Sequence, residues 1–213
     1  SAAIRRVFPD HSILAEESGA SDGQQAYQWI IDPLDVTTNF AHQLPFYAVS
    51  IAFAEKGKTL VGMVFNPVKG ELFSAIYGRG ALLNNEPIHV SNTKTLIDSL
   101  LVTGFPYDSG DIFNTMMSRF TKSLKASQSI LRLGSAALDL CYVACGRCDG
   151  FWQQNLSPWD TAGGALIVSE AGGKVTDFKG DRYQPQKKQI LATNAKIHNQ
   201  MLHLLAGRRT DGI

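Results

Sequence analysis

The stretch Trp29-Ile30-Ile31-Asp32-Pro33-Leu34-Asp35-Val36-Thr37-Thr38-Asn39-Phe40 decides how this chain is read. Its aromatic and β-branched start favours a strand, and Pro33 keeps Asp32 out of the helical region. Two carboxylates, Asp32 and Asp35, therefore arrive where a strand gives out, and Thr37-Thr38 can open a short helix behind them. The first N–H groups of a helix have no acceptor within it, so they stand unused beside the acids. A strand end, paired acids and unused amides together suit a metal-and-phosphate site.

The bulk of the chain sets the frame around that stretch. With 213 residues, 44% hydrophobic and 18% charged, it is long enough to bury one large core. No Pro/Ser-rich or charge-run linker divides it, so one domain over 1–213 is expected. A formal net charge of +1 gives no electrostatic case for nucleic acid or for a membrane surface. No apolar run approaches membrane-spanning length and no signal segment is visible, so a cytoplasmic protein is expected. Cys141, Cys145 and Cys148 lack a nearby His and a fourth ligand, and read as reduced core thiols rather than a zinc site. Ser1 to Phe8 begins without Met and reads as the tail of an amphipathic helix, ended by Pro9-Asp10-His11.

Outward from the opening stretch, Ile13-Leu14-Ala15 is a short apolar run that delivers a second pair of acids, Glu16-Glu17. Ala20 to Ala26 reads as a loop and Tyr27 to Ile31 as the strand that carries Asp32. From Phe46 the pattern alternates as an antiparallel meander, with turns at Lys56-Gly57-Lys58, at Asn66-Pro67 and at Asn84-Asn85. After Leu96 strands and helices interleave. Leu100–Val102, Ile130–Leu133, Asp149–Trp152 and Gln189–Thr193 read as strands. Ile112, Met116, Phe120 and Leu124 mark one helix face, Ser135 caps a helix through Cys145, and Ser157-Pro158 opens another that Gly172-Gly173 stops. Ile197, Met201, Leu204 and Leu205 carry the last helix. The expected fold is an α/β sandwich, helices layered against mixed sheets.

Glu16, Asp32, Asp35 and Asp160 each sit where a strand ends or a helix begins. Strand ends of a layered fold converge on one crevice, so acids far apart in sequence can meet there. Each alone has a structural explanation: a turn for Asp32, a helix cap for Asp35, a helix dipole for Asp160, a solvated surface for Glu16. Together they cannot all stay ionised without cations. An all-oxygen donor set selects a hard ion, Mg²⁺ before Mn²⁺. Two such ions can activate a water and stabilise a leaving oxygen.

These residues resemble a known family. Trp29 to Phe40, with Pro45-Phe46 and Ser50-Ile51-Ala52, resembles the first signature of the inositol monophosphatases, W-I-I-D-P-L-D-G-T-T-N-F. Ser157-Pro158-Trp159-Asp160-Thr161-Ala162-Gly163-Gly164-Ala165 with Glu170-Ala171-Gly172-Gly173 resembles the second. Glu16-Glu17-Ser18-Gly19 fits the acidic segment upstream, and Arg132 to Leu140 fits the segment lining the substrate pocket. The resemblance implies a layered αβαβα fold and a lithium-sensitive-type phosphomonoesterase. It implies two or three Mg²⁺ ions, a small phosphate ester such as inositol monophosphate, and a homodimer. It would place Glu16, Asp32, the Leu34 carbonyl, Asp35 and Asp160 on the metals. Thr37 with Glu16 would activate the attacking water, and the N–H groups of Val36 and Thr37 would receive the phosphate. Gly134, Ser135 and Ala136 would touch the polyol, with Gln153 where the family commonly has Glu.

Three departures stand out. Val36 replaces the motif's Gly beside the phosphate, where positive φ would make a β-branched residue a serious outlier. Gln153 lacks the charge of Glu. The segment where the family has its N-terminal helical region does not precede Ser1, so an N-terminally truncated domain is expected, and a chain lacking that region would have an exposed apolar face and an open site. They leave two alternatives beside the inositol phosphatase: a fructose-1,6-bisphosphatase or 3'-phosphoadenosine nucleotidase activity, and a non-catalytic or weakly active homologue that binds metal, phosphate or a partner.

Overall fold

The computed structural model describes residues 1–17, 19–20, 23–106 and 110–206, Gln25 by its backbone alone. Ser18 and residues 21–22, parts of the acidic segment and of the expected loop, lie outside the described residues. The strands are β1 (His11–Ala15), β2 (Gly19–Ala20), β3 (Gln24–Asp35), β4 (Ala48–Glu55), β5 (Lys58–Asn66), β6 (Glu71–Ile76), β7 (Ala81–Leu83), β8 (Glu86–Ile88), β9 (Leu100–Thr103), β10 (Ser129–Leu131), β11 (Gly150–Gln154), β12 (Lys174–Thr176) and β13 (Gln189–Thr193). The helices are α1 (Ala2–Val7), α2 (Thr37–Ala41), α3 (Phe113–Ala126), α4 (Ala136–Ala144), α5 (Pro158–Glu170) and α6 (His198–Leu205).

The strands form two sheets, one ordered β2-β1-β3-β4-β5-β6-β7-β8 and the other β10-β9-β11-β13-β12. Helices α4 and α5 lie between them, touching β4 and β5 on one side and β13 on the other. In the smaller sheet Val102, Phe151, Ile190 and Ala192 face this central layer, while their neighbours Leu101, Trp152 and Leu191 face Met201 and Leu205 of α6. Both faces are covered, so these strands read as unbroken apolar runs. The α/β sandwich expected from the sequence is present, as sheet, helix, sheet and helix. On the outer face of the larger sheet Trp29, Phe53, Val61 and Ile76 align across four strands, with Ile31, Ile51 and Met63 beside them. Ile76 is 50% exposed and Met63 38%. Helix α1 buries no side chain, and Phe8 just beyond it stacks on His11 and lies 5.7 Å from the Trp29 ring.

Glycines set how closely α5, which carries Asp160, approaches its neighbours. A Cβ on Gly62 would stand 2.6 Å from the Gly163 carbonyl oxygen, and one on Gly164 2.7 Å from Leu140 Cβ. Backbone thus meets backbone where β5 passes α5. Gly62→Ala is expected to cost about 1–3 kcal/mol, the usual penalty of overpacking, and to lower the melting temperature. A variant that melts with the wild type would show that α5 can shift without penalty.

The structure also departs from the sequence pattern. β3 is longer than Tyr27–Ile31 and runs to Asp35, with its register against β4 slipping between Asp32 and Asp35. Pro33 has no N–H for the ladder, which accounts for the slip. Residues from Gln24 onward belong to this strand rather than to a loop. β12 carried no recognisable apolar period. In α3 Met116 is buried, but Leu124 is 49% exposed, so the expected stripe ends short of the helix end.

Candidate functional site

A cavity of about 560 Å³ opens between the strand ends and is lined by Glu16, Asp32, Leu34, Asp35, Val36, Thr37, Gly134, Ala136, Gln153 and Asp160 among others. Three of the acids are held in the same way. The Leu34 N–H donates to Asp32 Oδ1 at 3.0 Å. The Ser135 hydroxyl and the Ala137 N–H donate to Asp35 Oδ2 at 2.5 and 2.8 Å. The Ser157 N–H donates to Asp160 Oδ2 at 2.7 Å, one half of a capping box at the start of α5. In each, the second carboxylate oxygen has no hydrogen-bond partner among the described residues. One oxygen of each is anchored and the other is not.

Burial and crowding push all three acids toward their neutral forms. The Asp32 carboxyl is raised to about 8, first by burial and then by Asp35 and Glu16, against the opposing Leu34 N–H. Asp35 is raised to about 7 by burial, with the bonds from Ser135 and Ala137 pulling the other way. Asp160 is raised to about 6, again mainly by burial. Like charges gathered in a poorly solvated place call for a cation. The donor set fits a hard one. Among the described residues, though, no three His, Cys, Asp or Glu side chains are packed tightly enough to hold an ion as they stand.

Val36 is in the left-handed region, φ 70° and ψ 66°, as the residue preceding α2. This is the conformation for which the glycine of the resembled motif is suited and a β-branched side chain is not. The chain has little room to avoid it, because Asp35 is fixed by α4 while α2 begins at Thr37. Asn39 locks the turn from behind by donating from Nδ2 to the carbonyls of Phe46 (2.9 Å) and Leu133 (3.0 Å). The Thr37 hydroxyl lies 3.5 Å from the Leu34 carbonyl.

The opposite lining is quieter chemically. Ser135 was expected to touch a ligand, but it is fully buried behind Asp35, where its hydroxyl donates to that acid and accepts from the Leu138 N–H as the cap of α4. Gly134 and Ala136, on either side of it, do reach the cavity. Gln153 lies over Gly104, so closely that a Cβ there would be 2.0 Å from Gln153 Oε1. Gln153→Glu is expected to raise kcat/KM for a polyol phosphate over that for a phosphate with no hydroxyl nearby by about fivefold, the difference between a neutral and a charge-assisted hydrogen bond. An unchanged ratio would mean that Gln153 does not contact the ligand.

Some residues escaped the sequence reading. Asn39 was legible only as a motif letter, because its acceptors come from other segments. Asp139 stands out as the one acid in the apolar run of α4, where it is fully buried with no hydrogen-bond partner for either oxygen among the described residues. Burial holds its carboxyl well above the usual range. His42 is exposed at the cavity rim. Cys141 and Cys148 are buried and all three thiols are free, with the Cys148 thiol pushed up to about 12 by burial, so it is not a reactive group.

The profile of the inositol monophosphatase family matches residues 1–209. The inositol-1-monophosphatase of Synechocystis sp. is 47% identical over 204 residues, covering 95% of this chain and 71% of that protein. Nus factor SuhB of Escherichia coli K12 is 43% identical over 211 residues, 99% of this chain and 79% of the relative. Among solved structures, the inositol monophosphatase from Anabaena (Nostoc) sp. PCC 7120 superposes with a TM-score of 0.91 at 45% identity, covering 98% of this chain and 83% of that one.

Proposed function

The chain belongs to the inositol monophosphatase family, and from that premise we propose that it hydrolyses a small phosphomonoester, inositol monophosphate or a similar sugar phosphate, with Mg²⁺. One observation carries the reading: Asp32, Asp35 and Asp160 line a single cavity, and each has one oxygen on a protein donor and the other without a hydrogen-bond partner among the described residues. Glu16, Asp32, the Leu34 carbonyl, Asp35 and Asp160 would hold two or three ions. When bound, such ions acidify water and neutralise charge on the phosphate.

The rest falls to the chain's own groups. Thr37 and Glu16 orient the attacking water, and the Glu16 carboxylate takes up its proton. The N–H groups of the Val36-Thr37 turn receive phosphate oxygens. Ser135 and Ala137 hold Asp35 in place, and Ser157 does the same for Asp160. A cytoplasmic homodimer completes the proposal. Phosphate release from a panel of small phosphate esters, with Mg²⁺ and with chelator, is the test. Release that needs Mg²⁺ supports it; no release from any ester refutes it.

The strained Val36 favours a second reading, a homologue that binds metal or phosphate but turns over slowly or not at all. Several relatives carry the name Nus factor, which suits a protein that acts through a partner. Mg²⁺ binding by calorimetry with no phosphate release would favour this reading.

A further inference from the structure

A second cavity, of about 550 Å³, shares no lining residue with the acid-lined one. Its floor is one face of α5, where Ala162, Ala165, Leu166 and Ser169 recur at helical spacing. The two alanines leave room that longer side chains would fill. The turn between β4 and β5 contributes Lys56 and Lys58, and Tyr77 follows from the end of β6. The segment between β12 and β13 brings Arg182 and Tyr183. Lys58 Nζ sits 3.3 Å from the centroid of the Tyr77 ring, and the Tyr183 hydroxyl donates to Thr161 Oγ1 at 2.5 Å, which fixes that ring against α5. Lys56, Lys58 and Arg182 are exposed, and none of the three side chains forms an ion pair or a hydrogen bond among the described residues. Glu170 is the one acid among the described lining residues, and its two oxygens already accept the N–H groups of Gly78 and Gly80 at 2.8 and 2.9 Å.

An apolar floor with a few polar groups at the edge, in a space of this size, has the character of a small-molecule site. Two tyrosines offer ring faces and edges to a planar ligand. Three cations beside a single engaged acid leave positive charge in excess. A molecule that enters displaces water from those cations, and an anionic group on it compensates best, through charge-assisted bonds. We propose that this cavity binds a small molecule that joins a planar aromatic ring to an anionic group. Binding there is independent of the phosphatase reading, since none of these residues lines the acid cavity.

Calorimetric titration of the full chain tests this, with chelator present so that the acid-lined cavity holds no metal to attract an anion. The probes are naphthalene-1-sulfonate, 1-naphthoate, the neutral 1-naphthalenemethanol, and methanesulfonate, which has the anion without the ring. The expected result is saturable binding of a naphthyl anion, about tenfold or more tighter than that of the neutral alcohol or of methanesulfonate. Binding of the sulfonate alone assigns the site to phosphate-like oxyanions, of the naphthoate alone to carboxylates, and of both to aromatic anions generally. Two variants then locate the probe. Lys58→Gln combined with Arg182→Gln removes charge, and Ser169→Trp plugs the cavity from its exposed rim; each should weaken binding by about tenfold or more. Thermal melts show whether each variant is folded, and should Ser169→Trp melt early, the charge variant decides alone. No saturable binding of either anion up to about 10 mM overturns the proposal. So does binding of the neutral alcohol as tight as that of the anions, or wild-type binding in a folded variant, which would place the probe elsewhere.

Discussion

Asp32→Asn is expected to abolish Mg²⁺-dependent phosphate release, with kcat/KM falling by about a thousandfold or more, equivalent to about 4 kcal/mol of transition-state stabilisation. Asn keeps the acceptor for the Leu34 N–H, so the turn should survive. What it removes is the charge of the most crowded acid in the cavity, which feels Asp35, Glu16 and Asp160 together. Wild-type release rates in the variant would remove Asp32 from the metal site.

The same substitution has a readout that needs no turnover. A carboxyl whose folded-state pKa is raised, here from 3.8 to about 8, keeps its proton in the fold after the unfolded chain has lost it. Stability from that difference is full below about pH 4 and declines as pH rises toward 8, so the metal-free protein should melt at progressively lower temperature across this window. Asp35 and Asp160, raised to about 7 and 6, add to the same slope. Mg²⁺ at pH 8 should reverse the loss, because it binds the ionised carboxylates of the folded state. In Asp32→Asn the slope should flatten and the rescue by Mg²⁺ should weaken. Melting curves from pH 5 to 8, with and without Mg²⁺, decide it; a wild-type curve that rises with pH would contradict the assignment.

Val36→Gly should act in the opposite direction and raise both turnover and stability. A non-glycine residue at φ 70° carries about 1–2 kcal/mol of strain, more where the side chain is β-branched. Glycine loses about 0.5–1 kcal/mol of that gain to its freer unfolded state, leaving a modest net increase. The catalytic gain should be larger. Val36 Cγ2 reaches to 3.2 Å from the Cβ position of Gly134, so the isopropyl group projects into the space between the turn and the opposite wall. Removing it lets phosphate approach the Val36 and Thr37 amides, for an expected rise in kcat/KM of about tenfold, or about 1.4 kcal/mol. Steady-state rates and thermal melts on the same preparation separate the two effects. A fall in kcat/KM would show that Val36 helps to hold the ligand.

Much of the site was legible because local rules create it. Pro33 after Asp32, Ser157 three residues before Asp160 and Ser135 at the start of α4 are short-range signals, and each acts in the structure through the backbone next to it. Ser135 marks where such reading stops. Its place as a cap was visible, but its second bond goes to Asp35, 100 residues away, and its side chain is buried behind that acid. β12 and the exposed end of α3 were missed for a related reason: their status depends on which neighbours cover them, not on their own period.

The sequence by itself determined the kind of chemistry available: oxygen donors at strand ends, the turn that presents them, and the resemblance carried by both signatures. Tertiary structure alone decided which oxygen of each acid is occupied, that Val36 must take a positive φ, and that Gly62 and Gly163 touch. The physical reason is range. Caps and turns are set by bonds within a few residues, whereas burial, crowding and the pairing of charges are set by segments that meet only when the two sheets close on α4 and α5.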